Sequence, residues 1–230
     1  MQLQNKARII GAMILLAMAV SITGNLILMP VIQAEDFLAS ISDKQSSIHL
    51  FGFFMLINSL AVAVAGIVSF SVFRDTQPLV ATTYLATRIA EAVILAVGFI
   101  AILALTTVGQ QFSDQGQLAN SALESLGKSL IATNWFAYHT AMVALGYGSL
   151  VFVWCVMKLG LAPRMLCMLG LLGYTILGTA SVANILGYDP GLIITLPTFV
   201  FEVSLGLYLV VKSFSNQQNL MQDEGTRIKT

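Results

Sequence analysis

Apolar residues in this chain fall in long blocks, and most polar residues sit in the gaps between them. The blocks cover residues 9–32, 48–73, 79–107, 131–158, 165–188 and 191–211. A hydrocarbon core about 30 Å thick is crossed by roughly 20 residues of α-helix, and every block reaches that length. The pattern predicts an all-α fold: one bundle of six transmembrane helices over residues 1–214, followed by a polar tail at 215–230. Boundary residues agree with this division. Ser47 precedes the second span, Pro78 opens the third, and Asp189-Pro190 reads as an N-cap and first-turn proline for the sixth. Pro197 lies further along that last span, where it frees the carbonyl of Ile193 and predicts a kink.

The connections are short except for residues 108–130. There Ser121 and Glu124 have the spacing of a capping box, and Leu118, Leu123, Leu126 and Leu130 fall on one side of a helix lying on the membrane surface. Gly116 and Gly127 suit the alternative, a solvated loop with a frayed helix.

Charge fixes the expected orientation. Lys6, Arg8, Arg74, Lys158, Arg164, Lys212, Arg227 and Lys229 fall on one side of a six-span arrangement, and only Lys44 and Lys128 on the other. Cytoplasmic segments carry the excess of Lys and Arg, so both termini are expected in the cytoplasm, with the chain in a cell (inner) membrane. Ala17-Met18-Ala19 resembles a signal-peptidase site, but the apolar run continues to Ile32, too long for a typical signal core. Hydrophobic residues make up 57% of the chain and charged ones 10%, against about 45–50% and 25% in soluble domains. The formal net charge of zero gives no reason to expect a nucleic-acid partner. Lipid is the partner that the composition implies, and the sequence does not set an oligomeric state.

No phosphate loop, zinc-protease helix or nucleophile elbow is present, so no cofactor is expected and no catalytic residue is assigned. Cys155 and Cys167 have neither metal-ligand spacing nor a disulfide framework, and both are expected as free thiols near the cytoplasmic ends of their helices.

Candidate chemistry lies within the oil. Ala92–Leu105 supplies only about 21 Å of helix, so the third span must draw on residues before it. Counted from Leu79, Arg88 then lies about 13.5 Å and Glu91 about 18 Å along the axis. Three residues apart, they share a helix face and can pair. Arginine can alternatively snorkel to the surface, which glutamate is too short to do. Glu202 sits near the middle of the sixth span, where an isolated acid costs on the order of 2.5–3.5 kcal/mol. His139, with Tyr147 two turns on, and Asn25 and Asn58 complete a polar set expected between the bilayer middle and the outer side. The set has three readings: a small-molecule or proton site with Arg88 as countercharge, an ion-paired strut, or a zinc-dependent enzyme. Zinc is disfavoured because one His and two Glu come from three helices without local ligand spacing. A bis-His haem is disfavoured because His49 and His139 lie at different depths. Thr87-x-x-x-Glu91 also echoes Thr198-x-x-x-Glu202, as an inverted repeat would.

Five segments carry a family resemblance: ARIIGAMILL (7–16), TRIAEAVILAVGF (87–99), FAYHTAMVALGYGSLVF (136–152), APRMLCMLGLLGY (162–174) and FVFEVSLGLYLVVKSF (199–214). In this order they resemble the bacterial multi-pass membrane proteins grouped as domain-of-unknown-function family 4386. The resemblance implies a helical integral membrane protein of prokaryotic type and supplies no catalytic residue.

Overall fold

The computed structural model describes residues 3–115 and 120–212. Its elements are α1 (Leu3–Ile32), α2 (Phe37–Asp43), α3 (Gln45–Phe73), α4 (Pro78–Gln115), α5 (Asn120–Lys158), α6 (Arg164–Ile185), a 3-10 turn (Leu192–Thr195) and α7 (Leu196–Val211). No strand occurs among the described residues. Six helices are long and apolar enough to cross a membrane, one in each predicted block. On α4, Val93, Val97 and Ile100 are 58%, 52% and 58% exposed at helical spacing, while Arg88, Glu91, Phe99, Ile102 and Leu105 are buried. A stripe of exposed β-branched residues opposite a buried face is what a lipid-facing helix presents, and the chain is a multi-pass membrane protein.

Two compact units are formed. The first comprises Met1–Leu16, Leu60–Ala92 and His139–Thr230; the second comprises Ala17–Ser59 and Val93–Tyr138. In the first unit, neighbours in sequence are neighbours in space. Lys6 of α1 donates to the Ser71 carbonyl near the end of α3, at 3.0 Å. Gly66 of α3 meets Arg88 of α4, Gly148 of α5 meets Thr87 of α4, and Gly146 of α5 lies against Gly178 of α6. Gly173 of α6 meets Thr198 of α7, and Gly11 of α1 meets Gly206 of α7, closing the ring. Lipid tails are as apolar as leucine, so such small residues hold the helices together by letting backbones approach closely.

The second unit corrects the reading of residues 108–130. No separate surface helix or frayed loop forms among the described residues: α4 runs to Gln115, α5 starts at Asn120, and Ser121 and Glu124 lie inside α5. The helices have 38 and 39 residues, or about 57–58 Å, nearly twice the hydrocarbon thickness, so both continue beyond it. The unforeseen α2 packs against these extensions. Asp36 caps it by accepting from the Ala39 amide, and Leu38 joins Val108 and Leu123 in a small buried cluster. Gly127, which suggested fraying, makes room for the Phe37 ring; Gly109 does the same for Ile41. Leu126 is exposed, Leu130 packs against the cluster, and Leu118 and the tail at 215–230 lie outside the described residues.

The helix starts also need correction. α3 begins at Gln45, so Ser47 is inside it rather than capping it. α6 ends at Ile185, and Asp189 accepts a hydrogen bond from the Gly191 amide instead of capping the last span. Gly191 then turns the chain with φ 78°, and α7 starts at Leu196 with Pro197 in its first turn. There proline's missing N–H removes no intrahelical bond, so Pro197 starts a helix rather than kinking one.

Candidate functional site

Arg88 and Glu91 pair inside the first unit, and Glu202 lies within electrostatic reach of them. Arg88 Nη1 lies 2.9 Å from Glu91 Oε2, with the two side chains only 5% and 4% exposed. Spacing of three residues on α4 puts both on one face, and that face is interior, so Arg88 does not snorkel. The stem of Arg88 passes Gly66, where a Cβ would lie 2.7 Å from Arg88 Cβ. Its guanidinium carbon sits 5.8 Å from the centre of the Tyr84 ring, one turn earlier on α4. Tyr84 in turn stacks on Phe152 of α5 at 4.0 Å, and Phe152 meets Phe73 of α3 edge-on at 5.6 Å. This aromatic wall keeps the cation over a ring face, where the ring quadrupole favours it.

Glu202 approaches from α7. Tyr174 of α6 donates its hydroxyl to Glu202 Oε1 at 2.9 Å, and the Tyr174 ring is held edge-on by Phe201 at 5.4 Å. Arg88 is ion-paired with Glu91 and lies within electrostatic reach of Glu202, whose carboxylate is bonded by Tyr174. Glu91 is enclosed, whereas Glu202 is only half-buried.

The two Thr-x-x-x-Glu segments share a local packing solution. Thr87 lies against Gly148, and Thr198 lies against Gly173, whose carbonyl accepts from the Thr198 hydroxyl at 2.8 Å. In each case the threonine docks its helix on a glycine of a neighbouring one, one turn before the glutamate.

The remaining predicted residues are placed differently. His139 is half-buried in the first unit, with Asp189 as an electrostatic neighbour. Tyr147 is exposed, and its hydroxyl lies 3.2 Å from that of Thr179. Asn25 and Asn58 belong to the second unit: Asn25 donates to the Ser21 carbonyl of its own helix at 2.9 Å, and Asn58 is buried. Cys155 and Cys167 are buried, and neither is in a disulfide. Among the described residues, no three His, Cys, Asp or Glu side chains are grouped to hold a metal ion.

Sequence reasoning missed Tyr84, Tyr174 and Gly66. A signal existed for the tyrosines, since a tyrosine deep within a span needs a partner for its hydroxyl or its ring.

Fold and site thus define a multi-pass α-helical membrane protein with a buried Arg–Glu pair and a tyrosine-bound second glutamate. The chain belongs to the family described as domain of unknown function (DUF4386), whose model matches residues 9–213. No curated protein and no solved structure matches it.

Proposed function

We propose that this is a proton-linked protein of the bacterial inner membrane, with both termini cytoplasmic, in which Arg88, Glu91 and Glu202 handle the proton. The observation that carries the reading is a carboxylate ion-paired with a guanidinium inside membrane-spanning helices, with a second, tyrosine-bonded carboxylate within electrostatic reach of the same cation. With all three ionised the cluster holds one excess negative charge, and a single proton on either carboxylate makes it neutral. Low-dielectric surroundings penalise the unbalanced form and reward the neutral one. Glu202, the half-buried member, is the point of entry for a proton or for a small hydrogen-bonding solute, and Tyr174 orients it. The orientation is supported by the distribution of cations: Lys6, Arg8, Arg74, Lys158, Arg164 and Lys212 flank the span ends that a six-span arrangement puts on one side, Lys44 and Lys128 those that it puts on the other.

A second reading is favoured by one observation. The enclosure of Arg88 and Glu91 also suits a strut that only holds the bundle together. Infrared difference spectra of the protein in lipid, taken between mildly acidic and mildly alkaline buffers, separate the two. The proton reading expects a titrating carboxyl band that changes in Glu202→Gln or Glu91→Gln. A spectrum in which neither glutamate gains or loses a proton leaves the strut.

A further inference from the structure

The Arg88–Glu91 pair leaves polar groups beside it unused. Arg88 Nε is buried without a hydrogen-bond acceptor, and the hydroxyls of Ser69 and Ser149 are buried without partners. The residues are 4%, 1% and 0% exposed. Contacts of neighbouring positions put each serine on a helix face that packs near the same segment of α4. Ser69 lies between Gly66, which touches Arg88, and Phe73, which meets Phe152. Ser149 adjoins Gly148, which touches Thr87, and precedes by one turn Phe152, which stacks on Tyr84. Ser69 and Ser149 therefore lie on faces of α3 and α5 that pack near the Tyr84–Arg88 stretch, which carries a third polar group without a partner.

We propose that Ser69, Ser149 and Arg88 Nε form a buried hydration site that binds ordered water next to the ion pair. One N–H donor and two hydroxyls, each able to donate or accept, supply the two to four partners that a buried water requires. Left dry, each group would bear the cost of an unmade hydrogen bond in a low-dielectric interior. The site links α3, α4 and α5 through solvent and gives the ion pair a hydrogen-bonded neighbour. It goes beyond the proton reading and does not rest on it, because a strut would be hydrated in the same way.

Radiolytic hydroxyl-radical footprinting of the intact protein in lipid nanodiscs tests this, since buried side chains are oxidised quickly where water is bound beside them. Tyr84 and Phe152 are expected to oxidise several-fold faster than Phe51, a buried ring in an apolar cluster of the second unit. In Ser69→Ala/Ser149→Ala that excess should disappear, while Phe51 is unchanged. If the double variant does not fold, each single variant should lower the excess. Tyr84 and Phe152 oxidising no faster than Phe51, or an excess that survives removal of the hydroxyls, would overturn the hydration site. Neither result bears on whether the glutamates titrate, which the infrared experiment reads separately.

Discussion

Gly66 of α3 lies so close to Arg88 of α4 that a Cβ on the glycine would stand 2.7 Å from Arg88 Cβ and 3.1 Å from its Cγ. The crowded atoms belong to the root of the arginine side chain, which cannot swing aside without moving its helix. The glycine therefore sets both the α3–α4 approach and the position of the cation. Gly66→Ala is expected to lower stability by about 1–3 kcal/mol through overpacking. A thermal unfolding midpoint equal to wild type in the same detergent would show that Arg88 has freedom that the packing denies it.

The same reasoning applies more severely where two backbones meet. A Cβ on Gly146 would lie 2.6 Å from the Gly178 nitrogen and 2.8 Å from the Tyr174 carbonyl. Backbone cannot yield as a side-chain tip does, so Gly146→Val should separate α5 from α6. Loss of monodisperse protein on size exclusion is the expected outcome. A normal yield with an unchanged profile would contradict the close crossing.

Tyr174 and Glu202 should show energetic coupling. Tyr174→Phe removes the hydroxyl that donates to Oε1 and leaves the ring against Phe201. In a double-mutant cycle with Glu202→Gln, the coupling should be about 0.6 kcal/mol and no more than about 1.7 kcal/mol, the average and the maximum seen for interhelical hydrogen bonds in a membrane protein. Strictly additive single changes would mean that the bond contributes nothing to the fold.

Much of this fold was legible in the sequence because the bilayer imposes a simple length rule. The six apolar blocks became six helices, and the i,i+3 spacing of Arg88 and Glu91 already implied a pair. The remainder was hidden for particular reasons. Residues 108–130 looked like a loop because a helix that continues into water carries no long apolar run, and Gly127 read as a breaker when its role is to admit Phe37. Pro197 signalled a kink because the start of α7 was placed too early. Tyr174 counts toward apolar composition, so a search for charges inside the membrane passed over the one group that bonds Glu202. Asn25 drew attention as a polar group, but its amide is satisfied by the carbonyl one turn back, a bond no sequence pattern announces.

Orientation yields its own expectation. Single cysteines in a variant lacking Cys155 and Cys167, placed at Leu159 or at Ala34, should react with a membrane-impermeant thiol reagent in intact cells only at Ala34. Labelling of Leu159 from outside would reverse the assignment of both termini.

Arg88 and Glu91 form a mutually dependent buried pair, with Glu202 within electrostatic reach of the same cation. Arg88→Leu strands Glu91 in the interior, and breaking a buried pair from one side costs about 3–5 kcal/mol. Arg88→Leu/Glu91→Leu removes both charges and leaves apolar side chains in their place, a change that is often neutral. Unfolding of the two variants measured side by side in one detergent is therefore the most direct test. The expected result is that the double variant is more stable than Arg88→Leu alone. A double variant no more stable than the single one would mean that Arg88 and Glu91 do not depend on each other.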